Sequence, residues 1–102
     1  MRYQVVLQFA ADTLTDYDAL VALESQLTDI RGNAAVDGHD MGSGEANIFI
    51  HTTDPQDTFR QLFPVLERNG HVSHVTVAYR RSDGDHYHVL WPENSSRHFS
   101  VA

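Results

Sequence analysis

The chain has no cysteine, no lysine and no hydrophobic run of membrane-spanning length. Without cysteine there can be no disulfide bond, no cysteine-based zinc site and no thiol nucleophile. The N-terminal segment MRYQVVLQFAADTLTD has an apolar run that is too short and too polar for a secretory signal. No later segment approaches the length of a transmembrane helix. We therefore expect a cytoplasmic protein with no membrane partner.

Positive charge is also scarce in this sequence. Seven arginines stand against 14 acidic residues, so the formal net charge is −7 with histidine neutral. Such a charge repels nucleic acids as well as anionic lipids, and we expect no nucleic-acid partner. Histidine, by contrast, is plentiful, with seven residues in the chain, and it makes the charge sensitive to mild acid.

The length of 102 residues suits one domain, and the hydrophobic fraction of 41% is enough for a core. We predict a single domain over residues 1–93. Residues 94–102 are polar and are predicted to form a loose C-terminal tail.

The hydrophobic periodicity predicts strands and helices in the order strand, helix, strand, strand, helix, strand, strand. In the first strand, one set of residues alternates with another, which is typical of a half-buried strand. The first set is Tyr3, Val5, Leu7 and Phe9, and the second is Gln4, Val6 and Gln8. The segment ANIFIHT predicts another strand. The residues around Ala34 to Asp40 predict a weaker strand that precedes it.

Two segments have helical periodicity. In the first, Leu20, Leu23, Leu27 and Ile30 form one apolar face, and Gly32 is expected to end the helix. In the second, Asp54 is a predicted N-cap, Pro55 takes the first helical position and Gly70 ends the helix. Its buried stripe is predicted to comprise Phe59, Leu62, Phe63 and Leu66. Pro64 lies inside this pattern, so we expect a kink or a shifted hydrogen bond there.

The C-terminal segments HVSHVTVAYRR and DHYHVLWP predict a hairpin, because Asp83-Gly84 between two strand patterns is a strong turn signal. Two registers remain open. A two-residue turn pairs Tyr79 with His88 and places Tyr87, Val89 and Trp91 together on the opposite face. A bulged turn instead puts Val77 across from Val89 or Trp91.

These elements predict an α+β protein with a ferredoxin-like βαββαβ sandwich and an extra C-terminal strand. In that arrangement two helices cover one face of an antiparallel sheet, and the other face stays open.

The segment DGHDMGSGE, residues 37–45, combines three acids, one histidine and three glycines. It does not fit a calcium-binding EF-hand loop, because His39 and Met41 occupy ligand positions and the twelfth residue is Ile48. It does not fit a phosphate-binding P-loop either, because it lacks the Lys-Ser/Thr ending and precedes a strand. We interpret it as the tip of a β-hairpin with a bulge at Gly38.

A polar site at the rim of the sheet is the alternative interpretation of this segment. Its candidate ligand-binding residues are His39, Asp40, Glu45, Asn47, His51 and His88.

Metal binding is a separate question, raised by the pair His86 and His88. These two imidazoles are predicted to lie on one face of a strand, and His74 could join them in a suitable register. No acidic residue stands at ligand spacing, so we predict no metal site. We predict no cofactor and assign no catalytic residue.

The uncovered sheet face predicts an association surface. Val6 and the candidate interface residues Phe49, Tyr87, Val89 and Trp91 would leave an apolar patch exposed in a monomer. A homodimer through this face or through the last strand would bury that patch.

The run DGHDMGSGEANIFIHTTDP resembles a segment of small bacterial ferredoxin-like α+β proteins. This resemblance implies the fold and no particular activity. Our functional hypothesis is a non-enzymatic binding or protein-interaction module that forms a homodimer or binds a protein partner with a basic surface. The alternative is a small dimeric enzyme or ligand sensor that uses His51, His88 and the rim formed by Asp40 and Glu45.

Overall fold

The structure is a computed structural model that describes residues 2–10, 17–28, 34–42, 44–92, 99 and 101. Five strands and two helices are found in this part of the chain. In chain order they are β1 (Tyr3–Ala10), α1 (Tyr17–Leu27), β2 (Ala35–Gly42), β3 (Glu45–Thr52), α2 (Pro55–Arg68), β4 (Val75–Arg81) and β5 (His88–Trp91).

The five strands form one antiparallel sheet in the order β2-β3-β1-β4-β5. The central strand is β1, which pairs with β3 on one side and with β4 on the other. The pairing is regular along β1: Val6, for example, lies opposite Phe49 of β3 and Ala78 of β4. The prediction of an α+β protein with an antiparallel sheet is confirmed.

The main core lies between the helices and the face of the sheet that carries Val5, Leu7 and Phe9. These side chains are fully buried, as the alternation in the first strand predicts. Both helices contribute to the same core, through Leu20, Leu23, Leu27, Leu62, Val65 and Leu66.

The first helix keeps its predicted apolar face, because Leu20, Leu23 and Leu27 are buried. Asp18 lies in its first turn, where its negative charge stabilises the helix by interacting with the positive end of the helix dipole. The fourth residue of the predicted stripe, Ile30, and the predicted terminator, Gly32, lie outside the described residues.

The second helix begins as predicted, because the Asp57 backbone N–H donates to Asp54 Oδ1 over 3.1 Å and Pro55 takes the first turn. It runs through Pro64 to Arg68, and Gly70 follows with a φ of 72°.

The predicted buried stripe of α2 is only half correct. Leu62 and Leu66 are buried, but Phe59 and Phe63 are half-exposed, and Thr58 and Val65 are buried in their place. The reason is that α2 packs on the sheet through a face rotated away from Phe63. The two phenylalanine side chains therefore lie at the margin of the helix–sheet contact.

The bulge predicted at Gly38 is present in β2. Val36 pairs with Ile50 and Gly38 pairs with Phe49, so Asp37 is the extra residue without a partner on β3. Gly38 has a φ of 144°, a conformation that residues with a Cβ atom rarely adopt.

The pairing of β4 with β5 combines features of both registers that the sequence leaves open. Tyr79 lies opposite His88, as a two-residue turn requires, but Val77 lies opposite Trp91 because the register shifts by one residue between Val77 and Ala78. The shift moves Trp91 to the helix side of the sheet, where it packs against the main core.

A second, smaller cluster covers the sheet face away from the helices. Val6 and Ala78 are fully buried there, and Phe99 packs against them with only 8% of its surface exposed. The expectation that Val6 is exposed on an open face is therefore wrong. The expectation of a loose tail does not hold for Phe99, because its ring contacts Tyr87 with centroids 4.9 Å apart.

In the described part of the chain, no helix combines the length and the apolar content needed to cross a membrane.

Gly38→Ala is expected to destabilise the protein by about 1–2 kcal/mol, because a side chain is strained at this positive φ. No atom lies within 4 Å of the new Cβ, so the cost comes from the backbone alone. Urea denaturation measures the change. The control is Gly84→Ala, whose Cβ would meet only ordinary contacts from 3.7 Å outwards. Equal stability of Gly38→Ala and wild type would contradict the strained bulge.

Candidate functional site

A polar row crosses the sheet on the face away from the helices. Its members lie opposite one another on four strands: Asp40 pairs with Asn47, Asn47 with Gln8, and Gln8 with Thr76. Directly paired residues on neighbouring strands share a face of the sheet. The row therefore lies one step closer to the β2–β3 turn than the apolar row of Phe49, Val6 and Ala78.

Asn47 is the centre of this polar row and is completely buried. Its side-chain amide is held at both ends. Gln8 Nε2 donates to Asn47 Oδ1 over 3.1 Å, and Asn47 Nδ2 donates to Glu45 Oε1 over 3.1 Å. A buried amide costs free energy unless its donor and acceptor are both paired, so Gln8 and Glu45 compensate for the burial of Asn47.

This network fixes the orientation of the two side chains that flank Asn47. Because Gln8 uses its amide nitrogen toward Asn47, its carbonyl oxygen points away from that bond. Glu45 is held through one carboxylate oxygen, beside the β2–β3 turn. The hydrogen bonds to Asn47 thus hold both flanking side chains in fixed positions.

A small pocket of about 160 Å³ lies beside the network, at the rim of the sheet. We call it the rim pocket; it is lined by Gln8, Phe9, Ala10, Gly44, Glu45, His74 and Thr76. The sequence identifies Glu45 and Asn47 as rim residues, and the structure brings them together. The structure adds Gln8 from β1, Thr76 from β4 and His74 from the turn before β4, which the sequence analysis does not place at the rim.

The other predicted rim residues are dispersed. His39 lies opposite Ile48 and points to the helix side, where its Nδ1 is 3.0 Å from Glu24 Oε2 of α1. Asp40 is exposed on the edge strand opposite Asn47 but does not line the rim pocket. The bulge explains the direction of His39, because it shifts the alternation of β2 by one residue.

His51 and His88 lie away from the rim pocket. His51 is four residues along β3 from Asn47, and its Nε2 is 3.1 Å from Asp37 Oδ2 at the bulge. His88 lies on β5, where its ring stacks on Tyr79 with centroids 5.1 Å apart. The structure therefore does not bring the six predicted ligand-binding residues into one site.

The predicted interface residues are also divided. Phe49, Tyr87 and Val89 pack together with the second cluster on the face away from the helices. Trp91 lies on the opposite face, and its Nε1 donates to the Val72 carbonyl over 2.9 Å. The register shift in β5 accounts for this separation.

Trp91 forms an apolar groove with α2. The Phe63 ring lies 5.5 Å from that of Phe59 and 4.9 Å from that of Trp91, in both cases edge to face. The groove has a volume of about 380 Å³ and is lined by Phe59, Arg60, Phe63, Pro64 and Trp91. We call it the aromatic groove.

The two histidines considered as metal ligands, His86 and His88, lie next to each other. The rings of His86 and His88 are 4.9 Å apart in an edge-to-face arrangement, so the two side chains are neighbours as their spacing predicts. His74 lies in the turn before β4. Among the described residues, no group of three or more histidine, aspartate or glutamate side chains could hold a metal ion.

One histidine near the rim has a shifted pKa. Burial lowers the pKa of His71, and the neighbouring His74 lowers it further by charge repulsion. The ring of His71 packs edge to face against Phe9, with centroids 5.2 Å apart, which explains its partial loss of water.

Comparison with protein families, with curated proteins and with solved structures finds no match to this chain.

His71 is expected to make the folded state less stable in mild acid. Because its pKa is lower in the folded protein than in the unfolded chain, the unfolded chain binds the proton more tightly. The free energy of unfolding should therefore fall as the pH drops below the ordinary histidine value of about 6.5. The loss should level off once His71 is protonated in the folded protein too.

Urea denaturation of wild type and His71→Gln between about pH 7.5 and pH 5 measures this contribution. Wild type is expected to lose more stability across this range than the variant, in which position 71 no longer titrates. Parallel losses in the two proteins would show that His71 contributes nothing to the pH dependence.

Proposed function

We propose that the protein is a small cytoplasmic binding module that forms a homodimer through the edge strand β5 and the aromatic groove. The observation that carries this proposal is the position of the groove. It lies on the helix side of the sheet beside β5, at the end of the strand order. Backbone pairing and apolar burial could therefore occur at one continuous surface.

The scaffold that we propose is the ferredoxin-like plan with one added strand. The order of the elements supports it, and so does the arrangement of β2, β3, β1 and β4 with both helices packed on one core. In this proposal β5 extends the sheet beyond β4 and brings Trp91 against Phe63 of α2. The added strand thus creates the groove.

The aromatic groove is suited to association because its side chains are only partly used by the fold. Phe63 is half-exposed, and its ring contacts are with the aromatic rings of Phe59 and Trp91. Trp91 is held in place by the hydrogen bond from its Nε1 to the Val72 carbonyl oxygen. Rigid aromatic side chains of this kind bury a large apolar area at a small cost in conformational entropy.

The two edges of the sheet differ in how well they are protected from pairing. The edge strand β2 contains a bulge at Asp37, exposes Asp37 and Asp40, and has Gly38 in an unusual conformation. Charged residues are an established way to prevent edge-to-edge association, and they distinguish the two edges, since the pairing of β5 also contains a register shift. The other edge strand, β5, has the sequence HVLW and carries no acidic residue and no arginine. Association is therefore favoured at β5.

A two-fold axis beside β5 would pair this strand with its own copy in antiparallel orientation. Each aromatic groove would then lie next to that of the partner. The net charge of −7 on each protomer opposes this contact at low ionic strength. Added salt should consequently strengthen the dimer.

Sedimentation velocity on wild type is expected to show a reversible dimer at micromolar concentration. The dimer should be stronger at ~300 mM salt than at ~20 mM salt, because salt screens the repulsion between the acidic protomers. Phe63→Ser removes the central ring of the groove and should shift the equilibrium to monomer by about tenfold or more.

The matched control is Val21→Ser, which removes an exposed apolar side chain from α1, on the other helix. It should leave the dimer unchanged. Circular dichroism checks that both variants are folded. If the wild-type protein stays monomeric at high micromolar concentration at both salt concentrations, the proposed dimer is refuted.

A further inference from the structure

We propose that the rim pocket binds the primary ammonium group of a small amine. This inference is independent of the dimer, because the rim pocket lies at the β2–β3 turn and its lining residues come from β1, β3, β4 and the turns beside them. The argument rests on the chemistry of the lining, the fixed geometry of the Asn47 network and the size of the pocket.

Three side chains in the lining of the rim pocket carry oxygen atoms that can accept hydrogen bonds. Glu45 supplies a carboxylate, Gln8 the carbonyl oxygen of its amide, and Thr76 a hydroxyl group. Each of these oxygens can accept more than one hydrogen bond, so existing partners do not prevent a ligand from binding. Among the described residues of the lining, Glu45 is the one carboxylate, and its charge favours a cation.

The network behind the pocket holds these acceptors in place. Asn47 is fully buried and bonded to both Gln8 and Glu45, so neither group has to be ordered when a ligand binds. Thr76 is also largely buried, with 8% of its surface exposed. A preformed set of acceptors lowers the entropic cost of binding.

An ammonium group fits this lining better than the other common charged groups do. It carries three N–H donors around one point of charge and can contact acceptors from three strands. A guanidinium group is planar and binds best to both oxygens of a single carboxylate, whereas the acceptors of this pocket come from three separate side chains. An anion would face the Glu45 carboxylate.

The volume of the rim pocket limits the ligand to a small one. About 160 Å³ accommodates an ammonium group with a short carbon chain. Ala10 is exposed on the same face of β1 as Gln8, and its methyl group provides an apolar contact for that chain. The net charge of −7 raises the local concentration of cations around the protein.

The test is a titration followed by the backbone amide resonances of Gly44, Glu45 and Thr76 in ¹⁵N–¹H NMR spectra. The probes are n-butylammonium, its neutral analogue butyramide, the anion butyrate and n-butylguanidinium. We expect saturable shifts at these three amides with n-butylammonium, and binding at least about tenfold weaker with the other three probes.

Glu45→Gln removes the charge but retains an oxygen that can accept from Asn47. It should weaken n-butylammonium binding by about tenfold or more, because the ammonium group then bonds to a neutral oxygen and not to a carboxylate. Asp40→Asn is the matched control: it makes the same change in charge on the neighbouring strand, outside the pocket lining. Thr76→Val is a second variant that keeps the shape of the side chain, and it should also weaken binding.

The ammonium group could belong to a free amine or to a lysine side chain of a peptide. The capped peptide acetyl-Gly-Lys-Gly-amide distinguishes these sources. If n-butylammonium binds saturably and the peptide binds no more tightly, the result supports a free amine, as we propose. Much tighter binding of the peptide than of n-butylammonium would overturn that part of the proposal.

Three results would overturn the proposal as a whole. The first is the absence of saturable shifts with n-butylammonium, and the second is equal binding of butyramide. The third is an equal loss of binding in Asp40→Asn and Glu45→Gln, which would indicate attraction to the net charge alone.

Discussion

The buried amide of Asn47 is the constraint on which the arrangement of the sheet rim depends. Its side chain is fully removed from solvent on a strand whose other face is packed against the main core. It must therefore find its hydrogen bonds within the sheet. Gln8 and Glu45 provide them, which sets the register of polar residues at the rim and places a carboxylate beside the β2–β3 turn. The rim pocket is a consequence of this requirement.

The face away from the helices is organised in rows that run across the strands. An apolar row through Phe49, Val6 and Ala78 is covered by Phe99, and the polar row through Asn47 lies beside it. Covering the apolar row removes the exposed patch that would otherwise promote association on this face. The dimer that we propose uses the groove beside β5 instead, so the two proposed functions occupy separate parts of the molecule.

Much of the fold could be predicted from the sequence because local patterns determine it. The alternation in β1, the cap at Asp54 and the glycine at the bulge each have a local physical cause. The composition of the rim pocket could not be predicted in full. Gln8 and Thr76 reach it only through pairing between strands that are distant in the sequence. One of the two registers that the sequence leaves open places Val77 opposite Trp91, as found, but the grouping of Trp91 with the open-face residues is wrong, because one residue of register shift reverses the direction of a side chain.

A double-mutant cycle between Glu45 and Asn47 tests most directly whether the buried amide organises the rim. The unfolding free energies of wild type, Glu45→Ala, Asn47→Ala and the double variant give the coupling energy between the two side chains. The account predicts a favourable coupling of about 1 kcal/mol or more, because the hydrogen bond joins a buried amide to a carboxylate. Additive effects within about 0.3 kcal/mol would contradict it.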